Sequence, residues 1–524
     1  MAKKFNITGV CVPGSHYMVD VSEKISRIMI LVEQGDYFVI NRPRQYGKTT
    51  TLFLLEQELK KKEDYLVIDI SFEGIDSPTA SDQKLFIPDF LDLFKNSLAL
   101  NGEDELIGFI DSYSSVENFN KLSNLITRFV EKASRKVVLL IDEVDKSSCN
   151  ELFLDFLGML RTKYLKSRVR KDFTFHSVVL AGVHDVKTLK AKIRPESEAR
   201  YNSPWNIAVN FKVDMTFSPR EIASMLEQYI AERHVEIDIP LFSEKLHYYT
   251  SGYPFLVSDL CKIIDEEILP EKEKKEWDLA DLDQAVQLIL KEENTNFDSL
   301  IKNLENNVEL YDFVYNLIFG DIGFVYNTDN PVIKYGILYG VLKEENGKIK
   351  VHNRVYEQRI YNYLASKLEI SGKNIGNGIT SSYLDEKGKL DVKKVIMKFQ
   401  AFMKEQYSEK DRDFIERNGR LLFLTFIRPI LNGRGFDFKE VQVSEEKRLD
   451  IMITFDNMKY IVELKIWRGE AYHKEGIRQL CDYLDRQNER VGYLLIYDMR
   501  KESGRAGQSE TINFEGKEIF VAWV

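Results

Sequence analysis

The N-terminal part of the chain alternates short apolar runs with amphipathic segments of helical spacing. This alternation is typical of βαβ units wound around a parallel sheet. The pattern predicts strands at 37–41, 66–71, 137–142, 177–182 and 207–213. We therefore expect an α/β domain with a parallel sheet over residues 1–300.

A helical segment is predicted after the last of these strands. The sequence SPRE at 218–221 has the spacing of a capping box, with proline at the first helical position. The helix that it opens runs toward Ala231, and helical spacing continues past Gly252 toward Ile268. We expect these helices to form a lid on the α/β domain.

Residues 301–370 are predicted to form a smaller, winged-helix-like unit. Two helical patterns lead to short strands at 340–343 and 348–351, which are separated by an Asn-Gly pair at 346–347. Asn-Gly is the strongest two-residue signal for a β-hairpin turn. The stretch 371–382, rich in Gly, Ser and Asn, is predicted to be a flexible linker before a last domain at 383–524.

Composition narrows the class of protein. The 524 residues are 44% hydrophobic and 30% charged, which is typical of folded domains in water. Lysine and arginine number 73 against 83 aspartates and glutamates, so the net charge is −10. No chain-wide positive field attracts nucleic acid or anionic lipid, and any such contact must be local.

Cysteine usage and hydropathy favour a cytoplasmic protein. The four cysteines, Cys11, Cys149, Cys261 and Cys481, lie far apart without a C-x-x-C pair, which argues against a disulfide framework or structural zinc. The N-terminus lacks the apolar core of a secretory signal. The most apolar later stretch, 421–431, contains arginine and proline and is much shorter than the roughly 20 residues that span a bilayer. We expect a soluble protein without a membrane partner.

The segment RPRQYGKT at 42–49 lies between a predicted strand and a helical run, which is the setting of a Walker A loop. In such a loop the helix N-terminus holds phosphate oxygens, Lys48 reaches the β and γ phosphates, and the Thr49 hydroxyl ligates Mg²⁺. Arg42 replaces the first glycine of the motif, so we expect the start of the loop to differ from the common form. The predicted nucleotide-binding residues of the loop are Arg44, Gln45, Tyr46, Gly47, Lys48, Thr49 and Thr50.

A second motif, VVLLIDE at 137–143, is an apolar strand run that ends in two carboxylates, as a Walker B strand does. Asp142 would bind the nucleotide's Mg²⁺, and Glu143 would be the general base that activates the attacking water. Such a strand end can also simply meet solvent. The two motifs together, in this order, predict a site for ATP and Mg²⁺.

Two strand-like runs near the C-terminus, 448–455 and 459–465, surround a short polar turn. If that turn is the centre of a hairpin, Asp450 lies directly opposite Glu463, and Lys465 shares their face. Facing carboxylates repel unless a cation lies between them, a role for Mg²⁺ or Mn²⁺. The pattern D-x₁₂-E-x-K is the core of PD-(D/E)xK nucleases. The alternative is an exposed, salt-bridged strand face.

The motifs together resemble the bacterial family of predicted AAA-ATPase-like proteins. The resemblance rests on RPRQYGKT at 42–49, IDEVD at 141–145, VLAGVHD at 179–185 and SPWNIA at 203–208. It implies an α/β fold in which a P-loop ATPase with a helical lid is followed by a winged-helix-like unit and a C-terminal α/β restriction-endonuclease-like domain. Arginine in place of the first Walker A glycine belongs to the pattern of that family.

The resemblance also implies nuclease residues outside the hairpin. Glu416, on a helix before the hairpin, is placed like the extra acid of many PD-(D/E)xK nucleases. Gln479 and Tyr483 resemble the Q-x-x-x-Y element of the same superfamily. The implied catalytic residues of this domain are Asp450, Glu463, Lys465, Glu416 and Gln479, with Asp450 and Glu463 as metal ligands.

For the ATPase, the resemblance suggests that His184 or Asp185 senses the γ-phosphate and that Arg194 or Arg200 acts as an arginine finger. An arginine in such a basic segment is more often a solvated surface residue.

The sequence predicts an ATP-binding and hydrolysing protein whose nucleotide state governs metal-dependent cleavage of nucleic acid, with DNA ahead of RNA, in defence or genome maintenance. A homo-oligomer formed through the ATPase domain is also expected. One alternative is a nucleotide-dependent switch whose C-terminal domain binds nucleic acid or protein without cutting, and another is a regulator whose winged helix binds DNA. The set Asp450, Glu463 and Lys465 favours the enzyme, and the lack of a strongly basic recognition face argues against the regulator.

Overall fold

The computed structural model describes residues 3–113, 115–144, 151–183, 205–319, 324–371, 383–406, 412–431, 435–442, 448–455, 458–498, 505 and 507–524. The chain divides into two compact units. The N-terminal unit comprises Met1–Leu310 and Val325–Glu357, and the C-terminal unit comprises Tyr311–Phe324 and Gln358–Val524. The expected linker at 371–382 lies, apart from its first residue, outside the described residues.

The N-terminal unit is built around a four-stranded parallel sheet in the order β1-β4-β3-β2. Its strands are β1 (Tyr37–Asn41), β2 (Tyr65–Ser71), β3 (Lys136–Asp142) and β4 (Ser177–Gly182). Each agrees with a predicted strand to within one residue. β3 and β4 are buried at almost every position, which explains why they read as continuous apolar runs.

Helices surround this sheet, with the bounds Ser22–Glu33, Lys48–Lys60, Ser77–Ser81, Gln83–Leu100, Asp104–Asp111, Phe119–Ala133 and Glu151–Arg168. The large apolar core of the unit includes residues of the strands and of the helices between β2 and β4. Aromatic rings interlock there, with Phe156 only 5.5 Å from Phe86 and 5.2 Å from Phe90 between ring centroids. The packed core fixes the strands whose carboxyl ends carry the motif residues.

The fifth predicted strand, at 207–213, is wrong. Val209 makes a single parallel bridge to Phe38 on β1, and a turn directly precedes it. The carbonyl oxygen of Val213 accepts a 2.8 Å hydrogen bond from the Arg42 guanidinium group. The turn uses the Ala208 N–H and Arg42 occupies the Val213 carbonyl oxygen, and between them the pairing with β1 is reduced to the bridge at Val209.

Four helices follow, at Pro219–Arg233, Ile239–Thr250, Pro254–Ile263 and Leu279–Ile289, together with the short parallel pair β5 (Glu236–Ile237) and β6 (Glu276–Trp277). The predicted capping box is confirmed: Glu221 N donates to Ser218 Oγ at 3.3 Å, and Ser218 N donates to Glu221 Oε2 at 2.7 Å. A π-helical turn, Ile264–Ile268, continues the third helix, so the helical prediction as far as residue 268 is also confirmed.

The predicted hairpin is present in the N-terminal unit. Helices with the bounds Thr295–Glu305, Val308–Phe319 and Pro331–Leu338 precede β7 (Leu342–Glu345) and β8 (Lys348–Val351), and the helix Arg354–Ser371 follows. Asn346 and Gly347 have φ values of 53° and 77°, as a two-residue primed turn requires. We refer to residues 331–351 as the helix–hairpin element.

The C-terminal unit contains a six-stranded mixed sheet in the order β13-β14-β12-β11-β10-β9. The strands are β9 (Gly435–Gln442), β10 (Arg448–Phe455), β11 (Met458–Ile466), β12 (Val491–Tyr497), β13 (Ser509–Phe514) and β14 (Lys517–Trp523). The helices in this part of the chain are Val392–Gln406, Arg412–Leu431 and Glu470–Gln487. The β11, β12 and β14 strands are parallel, and the outer pairings are antiparallel.

The apolar stretch at 421–431 lies in the helix Arg412–Leu431 and buries Phe423, Leu424 and Ile427. These side chains therefore belong to the protein core. Across the described ranges, no helix has both the length and the apolarity that crossing a bilayer requires.

Candidate functional site: a phosphate-binding loop and a buried acidic strand end

The Walker A segment forms the turn between β1 and the helix Lys48–Lys60. Gly47, the N-cap residue of that helix, has a φ of 77°, and Gln45 has a φ of 55°. Glycine adopts this left-handed conformation at little cost, whereas Gln45 is held in it against its preference. The turn brings the loop and the start of the helix to the wall of one cavity.

Arg42, in the place of the first motif glycine, is not a left-handed residue, so it carries no such strain. Its guanidinium group donates to the carbonyl oxygens of Asn41 at 2.9 Å and Val213 at 2.8 Å. The guanidinium carbon also lies 5.1 Å from the centre of the Phe211 ring. Burial lowers the pKa of Arg42. The arginine thus anchors the start of the loop to the segment that runs beside β1.

Lys48 holds the loop together from inside. Its Nζ donates to the carbonyl oxygens of Arg42 at 3.1 Å and Pro43 at 2.8 Å, and the residue is only 8% exposed. Thr49 is exposed at the cavity, whereas the Thr50 hydroxyl accepts a 3.1 Å hydrogen bond from Cys11 N. Thr49 therefore offers its hydroxyl to the cavity, and Thr50 fastens the N-terminal segment.

The two Walker B acids lie at the end of β3. Asp142 is 6% exposed, and its Oδ1 accepts a 2.8 Å hydrogen bond from Glu143 N. Glu143 has a φ of 53°, so the chain turns sharply directly after the strand. Ser71 is the partner of Asp142 on β2, which places both side chains at the carboxyl edge of the sheet.

All the nucleotide-binding residues predicted in the N-terminal unit line one cavity of about 1230 Å³. The loop residues 44–50 form part of the wall, and Asp142 and Glu143 form another. Apolar side chains from the N-terminal segment and the helices after the sheet complete the lining, among them Ile7, Val10, Met215, Met225 and Phe255. The cavity therefore combines a phosphate-binding loop, two acids and an apolar wall.

Residues 14–274 match the family model described as AAA-like domain. This part of the chain is therefore similar to AAA-like domains. Its parallel α/β fold resembles that of P-loop ATPases, as the order of its motifs predicted.

The solved structures that are similar to the chain include the following three. The Walker-type ATPase of Pyrococcus abyssi is 11% identical, with 68% of this chain and 99% of that chain covered and a TM-score of 0.45. The RuvB Holliday junction branch migration motor of Thermotoga maritima is 13% identical, with 65% and 94% covered and a TM-score of 0.32. The ORC2 protein of Aeropyrum pernix in its ADP form is 12% identical, with 69% and 97% covered and a TM-score of 0.35. No curated protein matches the chain significantly.

One acidic residue at the cavity was not predicted from the sequence. Asp69, on β2, lines the same cavity as Asp142. Desolvation beside the cavity, followed by the charges of Glu56 and Asp142, raises the pKa of Asp69 to about 7, although the residue keeps an exposed surface. The signal was present in the run LVIDIS at 66–71, where polar residues at alternate positions share one face of the strand end.

Tyr46, Arg44 and Gln45, predicted to bind nucleotide, also contact other parts of the N-terminal unit. The Tyr253 hydroxyl donates to the Arg44 carbonyl oxygen at 2.6 Å, and Gln45 Nε2 donates to Thr295 Oγ1 at 3.4 Å. Tyr46 is 6% exposed, and its hydroxyl is hydrogen-bonded to His352 at 3.0 Å. The loop is therefore held from both its inner and its outer sides.

In the C-terminal unit, the predicted hairpin register is confirmed. Ile451 on β10 is paired with Val462 on β11, and the pairing runs from there to Phe455 with Met458. This is the register that the position of the turn predicted, and extended by one residue it would set Asp450 opposite Glu463. Glu463 is only 2% exposed. The Asp450 and Glu416 side chains lie outside the described part of the structure, although the backbones of both residues belong to a strand and a helix.

Three of the residues implied by the nuclease resemblance meet in the structure. Lys465 Nζ lies 2.9 Å from Glu463 Oε1 and donates to Gln479 Oε1 at 2.9 Å. Gln479 lies on the helix Glu470–Gln487, and Tyr483 is buried one turn further on. Among the described side chains, no group of three or more His, Cys, Asp or Glu residues could hold a metal ion.

Two further predictions fall outside the described residues. These are the γ-phosphate sensors His184 and Asp185 and the arginine fingers Arg194 and Arg200.

Proposed function

We propose that the protein binds and hydrolyses ATP in the cavity of its AAA-like domain, and that this cycle governs metal-dependent cleavage of nucleic acid, DNA in the first place, by its C-terminal unit. The observation that carries the proposal is the single cavity that Lys48, Asp142 and Glu143 line together. Cleavage of DNA would suit a role in defence or genome maintenance.

The residues around the cavity suit phosphoryl transfer. Lys48 and the start of its helix supply positive charge for the β and γ phosphates. Glu143 adjoins Asp142 and accepts a proton from the attacking water. The Thr49 hydroxyl and the Asp142 carboxylate are oxygen donors of the kind that Mg²⁺ prefers, and one or two protein ligands suffice where phosphates and water complete the shell. Bound Mg²⁺ would neutralise charge on the phosphates.

The C-terminal unit supports the nuclease half of the proposal through its hairpin. The register of Ile451 with Val462, continued by one residue, would set Asp450 opposite Glu463, and two carboxylates so placed can hold Mg²⁺ or Mn²⁺. Lys465 lies beside Glu463 and offers positive charge to a phosphodiester. Exposed cations on or next to the helix that carries Gln479 could contact the backbone of nucleic acid, and they are Arg468, Lys474 and Arg478.

A second function, a nucleotide-dependent switch whose C-terminal domain binds nucleic acid or protein without cutting, is favoured by the same ion pair. Lys465 is 2.9 Å from Glu463 and compensates the charge of that buried carboxylate without a metal ion. A strand face held together in this way can be purely structural. The two functions differ in whether a chelator abolishes the effect on nucleic acid.

The test is an incubation of the full-length protein with labelled single- and double-stranded DNA and RNA. Each substrate is combined with Mg²⁺, Mn²⁺ or EDTA, and with ATP, ADP or no nucleotide. We expect cleavage that requires the metal and changes in rate with the nucleotide. Retained binding without product at any metal concentration would support the switch instead, and product formed equally in EDTA would contradict the metal-dependent mechanism.

A further inference from the structure

The outer side of the phosphate-binding loop is hydrogen-bonded to a histidine far along the chain. Tyr46 Oη lies 3.0 Å from His352 Nε2, although 306 positions separate the two residues. Both are buried, at 6% exposure each. The Tyr46 and His352 rings meet edge to face, as do the rings of Tyr46 and Tyr253, whose centroids lie 4.7 Å apart.

The neighbours of His352 fix which of its nitrogens carries a proton. Tyr356 N donates to Asn353 Oδ1 at 2.8 Å, so the Asn353 amide group presents its Nδ2 to the ring. Asn353 Nδ2 lies 3.3 Å from His352 Nδ1, which therefore accepts. The remaining proton is on Nε2, and His352 donates it to the Tyr46 hydroxyl oxygen.

His352 is also firmly attached to the helix–hairpin element. Its backbone N–H donates to the Val341 carbonyl oxygen at 2.8 Å. Burial, with the positive charge of Lys343 as a smaller cause, lowers the pKa of His352 to about 3. The imidazole is consequently neutral throughout the physiological range and keeps the single donor that Tyr46 requires.

A second contact joins the same two parts of the molecule. Gly340, with a φ of 70°, approaches the loop so closely that a Cβ atom at this position would lie 2.7 Å from Pro43 Cγ. The helix–hairpin element thus touches the loop at Pro43 through the backbone of Gly340, and His352, the next residue after the element, touches the loop at Tyr46 through a buried hydrogen bond. Both positions flank Gln45, the left-handed residue of the loop.

We propose that His352 is a positioning residue for nucleotide binding, which holds the phosphate-binding loop in its binding conformation through Tyr46 and so couples nucleotide to the helix–hairpin element. The proposal rests on the proposed binding of ATP by Lys48. A loop with a strained residue at its centre samples other conformations when an outer support is removed. The apparent affinity for nucleotide is then reduced in proportion to the fraction of molecules whose loop keeps the binding conformation.

Coupling of this kind is reciprocal. If the helix–hairpin element supports the loop that binds nucleotide, bound nucleotide must stabilise that element by the same free energy. A purely structural hydrogen bond would affect the stability of the fold without this linkage.

The first experiment measures the equilibrium binding of a fluorescent ATP analogue with Mg²⁺. Tyr46→Phe removes the hydroxyl and keeps the ring, and we expect the dissociation constant to rise about five- to tenfold, as for a lost buried hydrogen bond. His352→Gln keeps an amide donor for the Tyr46 hydroxyl. On a logarithmic scale it should therefore lose at most half as much affinity as Tyr46→Phe. Combining Tyr46→Phe with His352→Ala should weaken binding no more than the stronger single change, because both remove one interaction.

The matched control is Tyr37→Phe, which removes a buried hydroxyl that donates to the Phe175 carbonyl oxygen at 3.0 Å, at the opposite end of β1. We expect its dissociation constant to stay within about twofold of wild type. Unchanged affinity in Tyr46→Phe, with wild type binding and Lys48→Ala not binding, would overturn the role of His352 alone. Failure of the wild type to bind nucleotide would overturn the proposed function and this role together.

The second experiment is amide hydrogen exchange with and without the nucleotide. In wild type, nucleotide should slow exchange in the hairpin and at His352, and this protection should be lost in Tyr46→Phe at saturating nucleotide. Equal protection in the two proteins would contradict the coupling. Protection confined to residues 42–50 would do so as well.

Discussion

Lys465 and Glu463 form an ion pair on one face of β11, with Nζ 2.9 Å from Oε1. The carboxylate belongs to a residue that is only 2% exposed, whereas the lysine side chain is 19% exposed. The buried charge of Glu463 is therefore compensated from its solvent side. This arrangement predicts how the C-terminal unit responds when the ammonium group is removed.

Lys465→Ala should lower the free energy of unfolding by about 1–3 kcal/mol, because a buried carboxylate loses the ammonium group beside it. Lys459→Ala, at an exposed position on the same strand, is the matched control and should change it by less than about 0.5 kcal/mol. Calorimetry or urea unfolding of the full-length proteins measures both. Equal stability of the two variants would show that the pair contributes nothing.

Asp450→Asn should abolish cleavage of nucleic acid and weaken Mn²⁺ binding to the C-terminal unit, because one ligand charge is lost while the apolar alternation that forms the hairpin is kept. Titration calorimetry with Mn²⁺ and the cleavage assay measure the two effects, and circular dichroism checks the fold. If the variant and the wild type cut equally, the activity resides elsewhere or comes from a contaminant.

The elements that could be predicted from sequence are those specified by local chemistry. β3 and β4 are buried on both faces, and their sequences are therefore continuous apolar runs. Asn346 and Gly347 form the turn between β7 and β8 because both adopt the positive φ values that this turn requires. The register that pairs Ile451 with Val462 followed from the position of the turn, because a hairpin register is set there. The prediction of a strand at 207–213 was wrong. The pattern of the sequence did not reveal that Arg42, from the loop, donates a hydrogen bond to the carbonyl oxygen of Val213.

The helix connection at Gly252 gives a prediction about stability. Gly252 has a φ of 69°, and a Cβ atom there would lie 2.1 Å from the Phe217 carbonyl oxygen. Gly252→Ala should therefore cost about 2–5 kcal/mol in unfolding free energy, from backbone strain and a clash that no side chain can relieve. Gly158→Ala is the control, since that position lies within the helix Glu151–Arg168 and has nothing within 4 Å of the added atom. It should stabilise the protein by up to about 1 kcal/mol.

Asp69 predicts a pH dependence. Its pKa is raised from an ordinary value of 3.8 to about 7 in the folded protein, first by desolvation beside the cavity and then by the charges of Glu56 and Asp142. Between these values the folded state binds the proton and the unfolded state does not, so this group favours folding at low pH and loses that contribution as pH rises toward 7. Asp69→Asn should therefore gain stability relative to wild type between pH 4 and pH 8, as unfolding in urea across this range would show.

The contact between Tyr46 and His352 could not be predicted from the sequence. Neither residue stands out in composition, and 306 positions separate them. A hydrophobic pattern identifies which face of an element is buried but not which distant side chain meets it. The loop motif drew attention to Lys48, which lines the cavity, but it gave no information on what supports the loop from behind.

ATP binding and phosphate release by wild type, Lys48→Ala and Glu143→Gln test the central claim most directly. Wild type should bind ATP with Mg²⁺ and release phosphate. Lys48→Ala should fail to bind because the charge at the loop is gone, and Glu143→Gln should bind like wild type but lose turnover by about 10²-fold or more, because only the proton acceptor is removed. Phosphate release at the wild-type rate in both variants would contradict the assignment of this cavity as the ATPase site.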